Sequence, residues 1–188
     1  DINFSDKEVV NNCFGKKEKG ICKNLKIKDT ALFKKTYLRG IKLFKNIRFI
    51  PGALDFINLC HQKQIKMGIV TFAYRRYINK IIKNLNLQNS FDIILSSNDV
   101  KNPKPHPEMI YKACKALKVS ANSTLVVGDS KGDMLMAKSA GAKSALFLPK
   151  KHKLFYDFNI LRKTNPDFIF SEFGELKKKT AGFFAPVY

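Results

Sequence analysis

The sequence predicts an α/β fold in which a parallel β-sheet is covered by helices on both faces. From residue 51 onward, five short apolar runs alternate with segments whose apolar residues recur at helical spacing. Strands separated by helices in this way join a parallel sheet through right-handed crossovers. A ligand of such a sheet binds beyond the carboxyl ends of the strands, so the polar residues directly after each apolar run are candidate functional residues.

Residues 1–50 carry helical patterns and no strand pattern. The pattern around Val9 predicts a first helix, and a second helix is predicted over residues 30–44. The lysine-rich residues 16–28 between them predict a loop. We therefore divide the chain into a helical segment, residues 1–50, and an α/β segment, residues 51–188.

The α/β segment begins where Pro51 and Gly52 open a helix, since proline is favoured in the first turn. Pro107 marks another helix start for the same reason. Short apolar runs bounded by polar residues predict the strands. In chain order, the predicted elements are a helix over 51–60, a strand over 67–71, a helix over 75–85, a strand over 91–95, a helix over 107–117, a strand over 124–128, a helix over 132–140 and strands over 144–148 and 168–170.

Composition restricts the class of protein. Apolar residues make up 45% and charged residues 27% of the 188 residues, which is typical of a folded domain rather than a disordered chain. No apolar run in the sequence approaches the roughly 20 residues that cross a bilayer, and the N-terminal residues lack a signal-peptide pattern. Four dispersed cysteines without a CxxC pair favour a reducing compartment. We therefore expect a cytoplasmic protein without a membrane partner.

The chain is strongly basic: 35 Lys and Arg residues stand against 15 Asp and Glu, a formal net charge of +20. Proteins that bind nucleic acid usually concentrate basic and aromatic residues on one face, whereas these lysines are dispersed along the chain. Three interpretations remain open: a solvated basic surface, attraction of phosphorylated substrates, and a nucleic-acid partner. The first is favoured, and a nucleic-acid partner is possible but not favoured.

Two aspartates follow the third predicted strand. This strand delivers Asp129 to the carboxyl edge of the sheet, and Asp133 lies one turn into the next helix, so both carboxylates can face one point. Two carboxylates beside a phosphate suit Mg²⁺, which takes few protein carboxylates and keeps several waters. The structural alternative makes Asp129 a helix N-cap and Asp133 a solvated acid of the first turn.

A lysine braced by prolines precedes the helix that starts at Pro107. Three prolines restrict the backbone over residues 102–108, so the Lys104 ammonium is held in one direction and can meet an anion. The alternative is a lysine that merely lies in a proline-rich turn. We expect His106 to be a turn residue rather than a base.

Thr71 ends the first predicted strand. Its hydroxyl and the backbone N–H of Phe72 can hold a phosphate oxygen at the strand end. Tyr74, Arg75 and Arg76 follow and can face an anion, although a solvated helix start is the simpler interpretation of each residue.

Together, three motifs resemble those of the haloacid dehalogenase-like (HAD) superfamily, and specifically its branch of phosphoglycolate phosphatases and β-phosphoglucomutases. The matching segments are Gly68-Ile69-Val70-Thr71, Lys104-Pro105-His106-Pro107 and Gly128-Asp129-Ser130 through Asp133. The resemblance covers about residues 50–175. It implies a Rossmann-like core, and residues 1–50 would be part of a helical cap.

The resemblance also implies a Mg²⁺-dependent phosphatase that acts on a small phosphorylated substrate through an aspartyl-phosphate. Thr71 and Lys104 would be catalytic, Phe72 would join them in binding the phosphoryl group, and Asp129 and Asp133 would bind the metal. A lysine and a divalent cation suit this reaction, because the transferred group carries spread negative charge. A phosphosugar mutase would share these motifs.

The sequence departs from the family at one point. The motif DxDG[TV][LV] would supply the nucleophilic aspartate, and residues 1–5 only echo it, since Asn3 replaces the second aspartate. We expect the nucleophile to lie outside this chain, so that the sheet lacks a central strand and an apolar edge is exposed or filled by a partner. The chain alone is expected to be inactive. The alternative function is an inactive basic module that binds other molecules, for example in a ribonucleoprotein.

Overall fold

The computed structural model describes residues 4–13, 18–43, 47–154 and 156–183. Helices and parallel strands alternate along the α/β segment, as the sequence predicts. The helices are α1 (Asp6–Cys13), α2 (Glu18–Asn24), α3 (Thr30–Leu43), α4 (Ala53–Gln62), α5 (Arg75–Asn84), α6 (Glu108–Leu117), α7 (Lys131–Ala140), α8 (Phe158–Arg162) and α9 (Phe173–Lys179). The strands are β1 (Gly68–Thr71), β2 (Ile93–Ser96), β3 (Leu125–Gly128), β4 (Lys143–Phe147) and β5 (Phe168–Phe170). Two 3₁₀-helices, Ala121–Ser123 and Lys150–Leu154, precede β3 and follow β4.

The prediction of a loop over residues 16–28 is wrong, because Glu18–Asn24 forms α2. Ile21 and Cys22 of this helix are 1% and 3% exposed, so burial of two apolar side chains stabilises it. Lysine itself is a good helix former, and the lysines that suggested a loop are compatible with a helix. Helices α1 and α3 form where the helical patterns predict them, although Phe44 lies outside the described residues.

Strand β2 begins two residues later than predicted and includes Ser96. Ser96 is fully buried, which its polarity does not suggest. Its hydroxyl donates a hydrogen bond to the Asp99 carboxylate at 2.6 Å, and this bond allows a serine to end a buried strand.

The sequence pattern does not predict α8 and α9. They have five and seven residues, too few to show a helical period. Each is held by one buried leucine, Leu161 in α8 and Leu176 in α9. Asp157 caps α8 by accepting the backbone N–H of Asn159 at 2.8 Å.

The strands form two parallel sheets within the described residues. β1 pairs with β2 in one sheet, and β3 pairs with β4, which pairs with β5, in the other. Among the described residues, β1 and β3 therefore each have a strand neighbour on one side. An apolar side chain of β3 is accessible, since Val127 is 40% exposed.

Helices on both faces connect the two sheets. On one face, a single apolar cluster combines strand residues of both sheets with α6 and α7. Its members include Val70 of β1, Leu95 of β2, Val126 of β3, Met109 of α6 and Met136 of α7. On the other face α4 contacts the apolar clusters of both sheets. Ile57 packs against the cluster around α5, and Phe56 packs against the cluster of β4, β5 and α9. The carboxyl ends of β1 and β3 are thereby held at one edge of the molecule.

Candidate active site

The candidate site begins where β3 turns into α7. Ser130 is the N-cap of α7: its hydroxyl oxygen accepts the backbone N–H of Asp133 at 3.3 Å, and its own backbone N–H donates to the Asp133 carboxylate at 3.2 Å. Gly128 allows this approach, because a Cβ at that position would lie 2.5 Å from the Asp133 side chain. The interpretation of Asp129 as the N-cap is therefore wrong, since the next residue fills that role.

Asp133 is buried and ion-paired with Lys104. The Lys104 Nζ lies 2.6 Å from Asp133 Oδ1, and the two side chains are 11% and 9% exposed. The second oxygen, Oδ2, accepts a hydrogen bond from the Ser130 hydroxyl at 2.6 Å. The interpretation of Asp133 as a solvated acid is thus wrong, and both of its carboxylate oxygens have protein partners.

Glu108 fixes the turn that carries Lys104. Its carboxylate accepts the backbone N–H of Asn102 at 2.8 Å and that of Lys101 at 3.0 Å, and these hydrogen bonds lower the pKa of Glu108 to about 2. The peptide bond after Lys104 is cis. His106 is exposed, and its Nδ1 accepts the backbone N–H of Glu108 at 3.2 Å, so it is placed as a turn residue.

Asp129 has no ion-pair partner in the described part of the chain. Burial raises the pKa of Asp129, and the neighbouring Asp133 carboxylate raises it further, while His152 and Lys104 act to lower it. Lys104 is engaged by Asp133, so the two carboxylates carry one negative charge more than the lysine balances. A partly buried excess of negative charge favours a bound cation at Asp129.

His152 and Tyr156 face Asp129 from the segment after β4, and the sequence analysis missed them. Burial raises the pKa of Tyr156 to about 12, and the charges of Asp129 and Asp133 add to this effect. The His152 ring lies with its centroid 5.7 Å from that of Phe147, and its Nδ1 is buried without a hydrogen-bond partner among the described residues. The signal was available: these residues follow the carboxyl end of β4, as Asp129 follows that of β3.

Thr71 and Phe72 lie at the carboxyl end of β1, in the other sheet. The Thr71 hydroxyl oxygen accepts the backbone N–H of Ala73 at 3.0 Å, and the Ser97 hydroxyl donates to the Phe72 carbonyl at 3.3 Å. Within the described residues, no hydrogen bond joins Thr71 to Lys104 or to the two aspartates. The structure therefore groups Lys104, Asp129 and Asp133, and places Thr71 and Phe72 at the same edge beyond the break between the sheets.

Arg75 is engaged within the protein and is not directed at an external anion. Its Nη2 lies 2.6 Å from Asp99 Oδ2, which also accepts the Ser96 backbone N–H at 2.7 Å. Burial acts to raise the pKa of Asp99, but the hydrogen bonds from Ser96 and the charge of Arg75 outweigh it and lower the pKa. Asp99 thus closes the end of β2.

The described residues contain no group of three or more His, Cys, Asp or Glu side chains arranged to hold a metal ion. A cation at Asp129 would therefore need oxygen ligands from other sources. Mg²⁺ is compatible with this site, because it keeps several of its waters and binds through one or two carboxylates.

Residues 2–147 match the sequence model of the haloacid dehalogenase-like hydrolases. The chain belongs to this family. Pyrophosphatase PpaX of Anoxybacillus flavithermus is 40% identical over 91 residues, which are 48% of this chain and 42% of the relative. Phosphoglycolate phosphatase of Salmonella typhi is 28% identical over 129 residues, 67% of this chain and 48% of the relative. The chain thus spans about half the length of these curated relatives.

A solved structure of a family IA HAD hydrolase from Entamoeba histolytica has the same fold. The match has a TM-score of 0.77 at 21% identity and covers 96% of this chain and 84% of the other. The resemblance based on three motifs is confirmed, as is the Rossmann-like α/β fold class. No helix in the described ranges has both the length and the apolar character of a membrane span.

Replacing Lys104 by Met is expected to destabilise this HAD-family chain by roughly 3–5 kcal/mol, because the buried Asp133 carboxylate loses its cation. The measurement is the free energy of unfolding in urea at pH 7. The matched control, Lys143→Met, breaks the more exposed 2.8 Å pair with Asp167 and is expected to lose at most about 1 kcal/mol. Equal losses in the two variants would contradict the assigned role of the buried pair.

Asp129→Asn is expected to raise the thermal unfolding midpoint at pH 7. Because the pKa of Asp129 is raised above its ordinary value of 3.8, the folded chain holds this proton more tightly than the unfolded chain, and ionisation of Asp129 destabilises the fold. The extra stability of Asp129→Asn over the wild type is therefore present above the raised pKa and shrinks as pH falls towards 3.8. The exposed Asp55→Asn serves as the control. An unfolding midpoint for Asp129→Asn at or below that of the wild type at pH 7 would contradict a raised pKa of Asp129 in the folded chain.

Proposed function

We propose that this chain carries the phosphate-binding and metal-binding part of a Mg²⁺-dependent phosphatase that acts on small phosphorylated metabolites. The observation that carries the proposal is the buried 2.6 Å pair of Lys104 and Asp133 beside Asp129, whose pKa is raised. Such a grouping of a fixed cation and an unbalanced carboxylate is suited to a group that is both anionic and metal-bound. The names of the relatives, a pyrophosphatase and a phosphoglycolate phosphatase, support the same class of reaction.

Each residue has a distinct role in this proposal. Lys104 neutralises oxygens of the phosphoryl group, and the Thr71 hydroxyl and the Phe72 N–H donate to it from the end of β1. Asp129 binds Mg²⁺, which would balance the charge that develops on the phosphoryl group. Asp133 holds Lys104 and the start of α7, and it acts on the metal through the water shell, since its oxygens already have partners.

The nucleophile in this proposal is an aspartate on a strand that pairs between β1 and β3. The unpaired sides of these two strands in the described chain, and the exposed Val127, support that position. The aspartate oxygen attacks phosphorus as the bond to the substrate oxygen breaks, and the second aspartate of the DxDG[TV][LV] motif gives its proton to the leaving oxygen. Water then cleaves the aspartyl-phosphate to give inorganic phosphate and the free carboxylate. Without that strand, we expect this chain to show no turnover.

The other assignments complete the proposal. Residues 1–50 form part of a helical cap, and residues 51–188 form the core that lacks its first strand. We place the protein in the cytoplasm, because the thiols of Cys22, Cys60 and Cys114 are buried and carry no disulfide, which is typical of a reducing compartment.

The net charge of +20 favours a second candidate function, an inactive basic module within a ribonucleoprotein. RNA affinity that falls steeply with salt would support this function. A phosphosugar mutase is the third candidate, and it would yield an isomerised sugar phosphate instead of free phosphate. The buried Lys104–Asp133 pair favours the phosphatase over the inactive module, because a lysine withdrawn from solvent and paired with an aspartate contributes little to a basic binding surface.

Joining a DxDG[TV][LV] strand from a PpaX relative to the N-terminus is expected to produce Mg²⁺-dependent phosphate release from p-nitrophenyl phosphate. In the joined protein, Asp129→Asn is expected to lower kcat by about 100-fold or more, because the negative charge on the transition state is no longer balanced. The control is the exposed Lys138→Gln on α7, which should retain full activity. Activity that is indifferent to Asp129→Asn or to removal of Mg²⁺ would contradict the proposed function.

A further inference from the structure

A groove opens in the surface formed by the segment between β4 and β5. Its volume is about 710 Å³, which is enough space for side chains of a partner molecule. The lining comes from the 3₁₀-helix Lys150–Leu154, from α8 and from the residues between them. We call this feature the 150–162 groove. Among the described residues, none that we assign to phosphate or metal binding lines it.

The 150–162 groove carries uncompensated positive charge. Lys150, Lys153 and Arg162 line it, are exposed and have no ion-pair partner in the part of the chain that the structure describes. The lining also holds one acid, Asp157, whose carboxylate accepts the backbone N–H of Asn159 at 2.8 Å and so caps α8. The groove therefore favours a partner that presents acidic groups.

The same groove contains the most exposed large apolar side chain of the described residues. Leu154 is 75% exposed, compared with 58% for Leu32, the next in order. A single exposed leucine is common on protein surfaces, but Leu154 lines a concave groove together with the Phe158 side chain. An apolar side chain of a partner can be buried against both residues.

Three classes of anionic macromolecule differ in how well they fit this groove. RNA bases stack on free aromatic faces, whereas the Arg162 guanidinium carbon lies over the Phe158 ring, 6.0 Å from its centre. A lipid surface is flat on this scale and would leave a concave groove unfilled. An acidic protein segment supplies carboxylates for the cations and an apolar side chain for the groove. A second copy of this chain is a poor occupant, because each copy carries a net charge of +20.

We propose that the 150–162 groove is a docking surface for a different protein, which binds through an acidic segment that carries a large apolar side chain. Carboxylates of this segment pair with Lys150, Lys153 and Arg162, and its apolar side chain packs against Leu154 and Phe158. The docking surface is independent of the proposed function, because the two use different residues.

The test measures the binding of three labelled peptides to the full chain by fluorescence anisotropy at about 0.15 M salt. The acidic-apolar peptide has the sequence EDLLEDLLED. The acidic peptide replaces each leucine by serine, and the apolar peptide replaces each acid by its amide. The wild-type chain is expected to bind the acidic-apolar peptide about tenfold or more tightly than either of the others, because only this peptide offers both kinds of contact.

The charge contribution is tested by Lys150→Gln combined with Arg162→Gln. This variant should lose the preference for the acidic-apolar peptide over the apolar peptide. The control combines Lys115→Gln with Lys138→Gln, which remove the same charge from exposed positions on α6 and α7 and should keep that preference. Equal weakening in the two variants would show attraction by net charge alone and would overturn the proposal.

The apolar contribution is tested by Leu154→Ser, which alters an exposed side chain and should leave the fold intact. This variant should lose the preference for the acidic-apolar peptide over the acidic peptide, whereas Leu32→Ser, at an exposed position of α3, should keep it. A wild-type chain without either preference, or a preference that survives the groove variants, overturns the proposal. Oligouridylate and phosphatidylserine vesicles are measured in parallel. Tighter binding of either one than of the peptide, lost in the groove variants, would also overturn it.

Discussion

The candidate site depends on one buried ion pair, between Lys104 and Asp133. Removing two charges from water costs several kcal/mol for each ion, and the 2.6 Å contact together with the Ser130 hydrogen bond offsets that loss. The partners are 29 residues apart and come from different connections, so the pair forms only when the 102–108 turn and the start of α7 both reach the end of β3. Burial and the neighbouring Asp133 charge raise the pKa of Asp129. Because Asp133 engages the lysine, the negative charge of Asp129 is left for a cation to balance.

The second constraint is the break in the sheet. Parallel strands are normally covered on both faces and paired along both edges within the sheet. Here α4, α6 and α7 supply the coverage, while β1 and β3 are each paired on one side within the described residues. In the function that we propose, this break is the position of the nucleophilic strand, which would stand between Thr71 on one side and Asp129 on the other. The break and the site are thus two parts of one arrangement.

The order of strands and helices from residue 51 to residue 147, together with strand β5, follows from apolar periodicity. The convergence of Lys104 with Asp133 follows from strand ends and proline restraint. Other features depend on contacts that a single sequence does not display. Helix α2 is stabilised by burial of Ile21 rather than by a visible period. Arg75 pairs with Asp99 because a partly buried charge costs free energy unless an opposite charge lies nearby. His152 lies in the short 3₁₀-helix after β4, and Tyr156 lies two residues beyond its end. A segment this short has no period to recognise, so only its position after the carboxyl end of β4 indicates that these residues reach Asp129.

The most direct measurement of the central claim is the affinity of the chain for inorganic phosphate with and without Mg²⁺. The claim is that Asp129 provides a metal position next to the lysine held by Asp133. It predicts that Mg²⁺ strengthens phosphate binding to the wild-type chain and leaves binding to Asp129→Asn unchanged. Phosphate binding that is independent of Mg²⁺ in the wild type, or equally dependent on it in the variant, would contradict the claim.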